Sequence, residues 1–181
     1  MSEFCVKLDD ETELYLTLRL YTSVENTNEI RKNILSGELP CCMLKAGLIF
    51  EPFQIVVAAN KAALNKKNNQ LTTKTVYTEL LFCLSTSKNI SQSLIEFGID
   101  DKEEIIIAAI IHKEKEDKPI LELINDNVKG KEVPIQRLSE YSDCKRIRKT
   151  YKIDEAELKV SNFIDSIVSR ISIKDFASLK Q

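Results

Sequence analysis

The chain has 181 residues, 43% of them hydrophobic and 30% charged. These globular proportions exclude a disordered chain, and the length fits one domain with its own core. With 26 Lys and Arg against 28 Asp and Glu the net charge is −2, which excludes binding to nucleic acid by bulk charge but not through a local basic site. Phe4, Val6 and Leu8 alternate along a short predicted strand. Leu14, Leu16, Leu18 and Leu20 alternate with Tyr15, Thr17, Arg19 and Tyr21, predicting a half-buried strand over 13–21. Asn26 followed by Glu29 reads as a capping box; Ile30 and Ile34 share a helix face that Gly37 ends. MLKAGLIF (43–50) is a short strand or an irregular approach.

EPFQIVVAANKAALNK (51–66) predicts a helix with Pro52 in its first turn. Phe53, Val56, Val57 and Leu64 form its apolar stripe, and Ala58, Ala59, Ala62 and Ala63 permit close approach of another element. TVYTELLFCLS (75–85) fits helix or strand, with the spacing of Val76, Leu80, Leu81 and Leu84 favouring helix. Asn89 and Gln92 read as a second capping box and Gly98 as a stop. EEIIIAAIIH (103–112) is an apolar run of the kind found in a strand buried on both faces. The charged turn 113–118 precedes a helix carrying Leu121, Ile124 and Val128, and two short helices follow over 134–141 and 143–151. Asp154 and Glu157 resemble a capping box, and Val160, Phe163, Ile164, Ile167, Val168 and Ile171 draw the stripe of a long amphipathic helix. The expected architecture is a single α/β domain: a small mixed sheet packed with several helices and closed by that C-terminal helix.

Catalytic chemistry finds little support. His112 is the only imidazole, and it ends an apolar strand, where a structural role is expected. No G-x-S-x-G, phosphate loop or dinucleotide fingerprint occurs. Five cysteines without C-x-x-C spacing fit a reducing compartment rather than a disulfide framework or a zinc site. The acidic clusters 9–13 and 100–104 read as solvated loops. No run is long enough to span a membrane, and the acidic N-terminus is unlike a secretory signal. Two basic clusters, Lys61, Lys66, Lys67 and Lys74, and Lys145, Arg146, Arg148, Lys149 and Lys152, serve either solubility or binding. The two apolar stripes serve either the core or a partner.

EPFQIVVAANKA (51–62), followed in order by YTELLFCLS, NISQSLIEFGI, KRIRKTYKI and DSIVSRISIKDF, resembles the family of the PRPK-binding protein, the small subunit of the KEOPS, or EKC, complex. The resemblance implies a non-catalytic protein without cofactor or metal, found in cytoplasm and nucleus. That complex installs threonylcarbamoyl on the adenosine next to the anticodon of tRNA. Catalysis there belongs to a separate threonylcarbamoyl transferase subunit, which is metal-dependent. A family member binds the amino-terminal lobe of the atypical kinase-ATPase subunit and helps recruit tRNA by its single-stranded CCA tail. On that basis Phe163, Ile167, Ile171 and Phe176 are candidate kinase anchors, with Arg170 and Lys174 at the rim. For the tail, Lys61 and Lys74 are candidates for phosphate, Glu79 for a cytosine amino group and Asn60 for an adenine edge. Asn60 has an equal claim as a buried amide satisfied by backbone. Thr75, Thr78 and Tyr77 are candidates for hydroxyl or stacking contacts. The alternatives are a kinase regulator acting outside tRNA modification, and a small nucleotide-handling enzyme using the acidic clusters and His112.

Overall fold

The computed structural model describes residues 4–176. Its centre is β4, Ile106–Lys113. Ile107, Ala109 and Ile111 face one side of the sheet, Ile106, Ala108 and Ile110 the other, and all six are buried. A strand covered on both faces needs the continuous apolar run seen in the sequence. Buried Ile side chains of this kind contribute roughly 1.5–3 kcal/mol each. β2 (Leu14–Thr22) lies along one edge of β4 and β3 (Cys42–Lys45) along the other. The far edge of β2 is shared end to end: β1 (Phe4–Lys7) pairs with its first half and β5 (Lys131–Val133) with its last three residues. Every described pairing is antiparallel, rather than the mixed arrangement expected from sequence.

Helices cover both faces. α1 (Thr27–Ser36) and α5 (Lys118–Asn127) send Ile30 and Ile124 into the smaller core against Tyr21, Met43 and Ile110. The larger core receives α2 (Pro52–Lys67), α3 (Val76–Leu84), α4 (Ile90–Phe97), α6 (Cys144–Thr150) and α7 (Phe163–Ile173).

Several expectations need correction. In α2 the buried face is Gln54, Ile55, Ala58, Ala59, Ala62 and Ala63; Phe53, Val56, Val57 and Leu64 lie outside it. The small residues win the core because they bring the helix backbone closest to its neighbours. The last helix is shorter than its apolar pattern suggests. Asp154 Oδ1 accepts from Glu157 N–H at 2.8 Å ahead of a 3-10 turn at Glu157–Lys159, Val160 is 89% exposed, and α7 starts only after Asn162, whose side chain accepts from Asp165 N–H at 2.9 Å. Asn26 precedes α1, but its side chain bridges to Asn127 O and Lys129 N–H instead of capping the helix. Gly37 stops α1 in the left-handed region, φ 82°. Gly98 ends α4 without it, and a Cβ there would sit 2.6 Å from Leu94 O.

One buried polar network joins α2, α3 and the end of α6. Gln54 Nε2 donates to Leu48 O at 3.1 Å and to Tyr151 Oη at 2.9 Å, and its Oε1 accepts from Phe50 N–H at 2.9 Å. Tyr151 Oη donates to Leu84 O at 2.7 Å. Tyr151→Phe leaves the Leu84 carbonyl buried without that donor. We expect a loss of about 1–3 kcal/mol in urea unfolding with helix content unchanged; an unaltered midpoint contradicts the role of this network.

Candidate docking groove

The outer side of α2, the turn after β1 and the end of α7 enclose an open groove of about 490 Å³. Phe53, Val56 and Val57 of α2 form its apolar floor, and Phe176 its far wall. Phe53 is 51% exposed and Phe176 85%. Several polar groups along the groove are already engaged. Asn60 Oδ1 accepts from Asp9 N–H at 2.7 Å, which pins the β1–β2 turn onto α2. Lys61 Nζ donates to Ile171 O at 2.8 Å and pairs with Asp175 at 2.9 Å, holding the end of α7 against α2. The result is an apolar surface with a neutralised cation.

The predicted anchors on α7 divide. Phe176 is on the groove wall. Phe163 is half-buried edge-on against Phe50, with ring centroids 4.8 Å apart. Ile167 and Ile171 are fully buried against the larger core and are unavailable to a partner in this conformation. Arg170 is a clasp rather than a rim charge. Its guanidinium meets both Glu157 carboxylate oxygens at 2.7 Å, and this holds the Glu157 carboxyl down at about 2. Lys174 is buried, with Nζ 3.2 Å from the Phe82 ring centroid and donating to Phe82 O.

The predicted tail-binding residues are likewise separated. Asn60 and Lys61 line the groove. Glu79 is fully buried and ties the α2–α3 loop down, accepting from Asn65 Nδ2 at 3.0 Å and from Thr73 N–H and Oγ1 at 2.8 Å. Thr75 and Thr78 form the reciprocal capping box of α3. Tyr77 is half-buried and Lys74 is exposed. Sequence reasoning read the groove's Leu8 as part of a strand and Asp9 as part of a solvated acidic loop, and no local pattern places either beside α2. It named Phe53, Val56 and Val57 without choosing between core and partner, and the alanines on the opposite side of α2 carry the signal that decides.

The family model for the kinase binding protein CGI-121 matches residues 21–175. The chain belongs to the CGI-121 family. A zebrafish (Danio rerio) relative named EKC/KEOPS complex subunit TPRKB is 33% identical over 165 residues, covering 91% of this chain and 94% of the relative. The Candida glabrata EKC/KEOPS complex subunit CGI121 is 26% identical over 167 residues, 91% of this chain and 93% of the relative. Its Schizosaccharomyces pombe counterpart is 25% identical over 171 residues, covering 92% and 96%. The match to the CGI-121 family takes in α2, α7 and Asp175, and so most of the groove.

In this CGI-121 family member the turn after α7 is latched by Lys174. Burial lowers its ammonium to about 8 from 10.5, with the Cys83 thiol and the charged Lys61, Asp175 and Glu79 as its neighbours. Between those two values the unfolded chain keeps a proton that the folded chain has released, so stability rises with pH across the window. The stability of the protein relative to its Lys174→Met variant is expected to climb from pH 8 to pH 10.5 in denaturant titrations. A flat or falling difference contradicts the buried placement.

Proposed function

We propose that the chain is a non-catalytic subunit of an EKC/KEOPS complex. It docks the complex's atypical kinase-ATPase and helps recruit tRNA, through the CCA tail, for threonylcarbamoyladenosine modification. The observation that carries the reading is the groove between α2 and α7: an apolar floor with two exposed phenyl rings, in a member of a kinase binding protein family. Exposed aromatic anchors beside a surface poor in free charge are what a protein–protein interface uses at its centre. Phe53 and Phe176 are the anchors, and Asn60 and Lys61 shape the site.

The interior offers little for catalysis. His112 is buried, its Nδ1 donates to Lys113 O at 2.7 Å, and its Nε2 accepts from Thr17 Oγ1 at 2.8 Å. Both ring nitrogens therefore serve the sheet. The acidic loop after β1 is spent on its own turn and on Lys7 and Lys67. Among the described residues no group of three or more His, Cys, Asp or Glu converges to hold a metal ion, and no helix is long and apolar enough to cross a membrane. Cys41, Cys42 and Cys83 are buried free thiols, and burial pushes Cys41 and Cys83 up to about 12. Unpaired thiols accord with work in cytoplasm and nucleus.

Phe53→Asp and Phe176→Asp replace exposed rings, so the fold should persist. Each is expected to weaken binding to the purified kinase-ATPase by at least ~10-fold in calorimetry, within the range of interface hot spots. Unchanged affinity in both variants overturns the groove as the dock. For tRNA, gel-shift titration with the kinase present should lose affinity when the CCA tail is trimmed; equal shifts overturn the tail contact.

A further inference from the structure

We propose that the outward face of α6 binds the sugar–phosphate backbone of a structured RNA. This rests on the tRNA-recruiting reading above, and it places RNA contact on a surface that the groove does not include.

The segment KRIRK (145–149) has one inward residue, Ile147, which is fully buried. At 3.6 residues per turn, Lys145 and Lys149 point away from Ile147 and the two arginines lie on the flanks. Lys145, Arg146, Lys149 and, just past the helix, Lys152 are exposed. Arg148 is occupied, its Nε on Ile153 O at 2.9 Å and its Nη1 on Glu155 at 3.3 Å, and Arg146 shares the field of Glu103. Among the described residues, no carboxylate lies within ion-pair distance of Lys145, Lys149 or Lys152. Several cations elsewhere are paired: Arg31, Lys45, Lys61, Lys129, Arg137 and Arg170 each sit on a carboxylate. A chain of net charge −2 thus leaves a concentrated positive face on α6.

The chemistry of that face selects its occupant. The exposed large apolar residues lie on other elements, such as Leu35, Phe53, Ile95 and Phe176. Without an apolar wedge α6 has nothing to bury in a bilayer, and without an apolar centre it is a poor protein interface. A row of cations with no apolar anchor fits phosphates, which position an RNA through charge and not sequence. Lys145 and Lys149 are about one turn, ~6 Å, apart along the helix. α7 stands between this face and the groove. Arg170 of α7 donates to Lys152 O at 3.2 Å, while Ser172 and Asp175, on the opposite flank, line the groove.

The test is filter binding of the full chain to intact tRNA, to tRNA trimmed of its CCA tail, and to a short single strand ending in CCA. Titrations run from about 50 to about 200 mM salt. Lys145→Glu/Lys149→Glu is compared with Lys102→Glu/Lys118→Glu, an equal charge change at exposed sites elsewhere. The α6 variant should bind intact and trimmed tRNA at least ~10-fold more weakly, with a salt slope lower by about 1.5–2, as expected for two lost phosphate contacts. The short strand should be unaffected. The neutral pair Lys145→Gln/Lys149→Gln should fall between, with circular dichroism unchanged. Equal loss in the control, no loss, absence of RNA binding by the parent chain, or equally tight binding to polyglutamate overturns the proposal. Trimming tests the tail contact in the parent chain, and charge reversal tests α6 on trimmed tRNA, so either can fail alone.

Discussion

Four alanines decide where the rest of the larger layer can go. Ala58, Ala59, Ala62 and Ala63 occupy the inner side of α2, and all are buried. The distance between packed elements is set by the side chains at the contact. With methyl groups at four of the six buried positions of α2, the helix can lie close to the sheet, and α3 and α7 close to α2. A bulkier residue at any of these positions would separate the layers, because interiors packed at crystal density have no slack to absorb it. Filling the inner side with small residues also displaces the large ones. Phe53, Val56 and Val57 are carried outward and become the floor of the groove.

The groove's other wall is held by cations used as structural clasps. Arg170 grips Glu157, Lys61 grips Asp175 and a carbonyl of α7, and Lys174 inserts over Phe82. Each would read from sequence as a free surface charge, and each instead fixes the angle at which the chain leaves α7. Exposed ion pairs are worth little individually, but these are partly shielded and converge on one short segment. The same economy of charge explains α6. On α6 and just past it, Lys145, Lys149 and Lys152 lack such carboxylate partners among the described residues and stand close together, whereas other exposed lysines, such as Lys32, Lys88 and Lys102, lie on separate segments.

The elements legible in the sequence were those whose pattern matches their environment. The period-two run of β2 and the unbroken apolar run of β4 became central strands, and Pro52 and Asn89 marked helix starts where they stand. β5 escaped because three residues, Lys-Glu-Val, carry no period. The early start given to α7 came from counting Val160 into the stripe, although the chain is broken there by a 3-10 turn and a new cap at Asn162. Site residues were harder. Asn60 and Lys61, expected at the tRNA tail, line the groove; Glu79 is instead spent on the loop just before its own helix, and Lys174 on the α3 carbonyl at Phe82, far away in sequence. Gln54 and Tyr151 were missed because polar residues that satisfy one another in a core have no periodic signature.

The central claim is that α2 and the end of α7 present one docking surface. Amide hydrogen exchange of the chain, alone and bound to the kinase-ATPase, tests it most directly. The account predicts slowed exchange on binding in the first turns of α2 and over 170–176, with α1 and α5 unchanged. Protection confined to the α1–α5 face, with the groove segments unaltered, would contradict it.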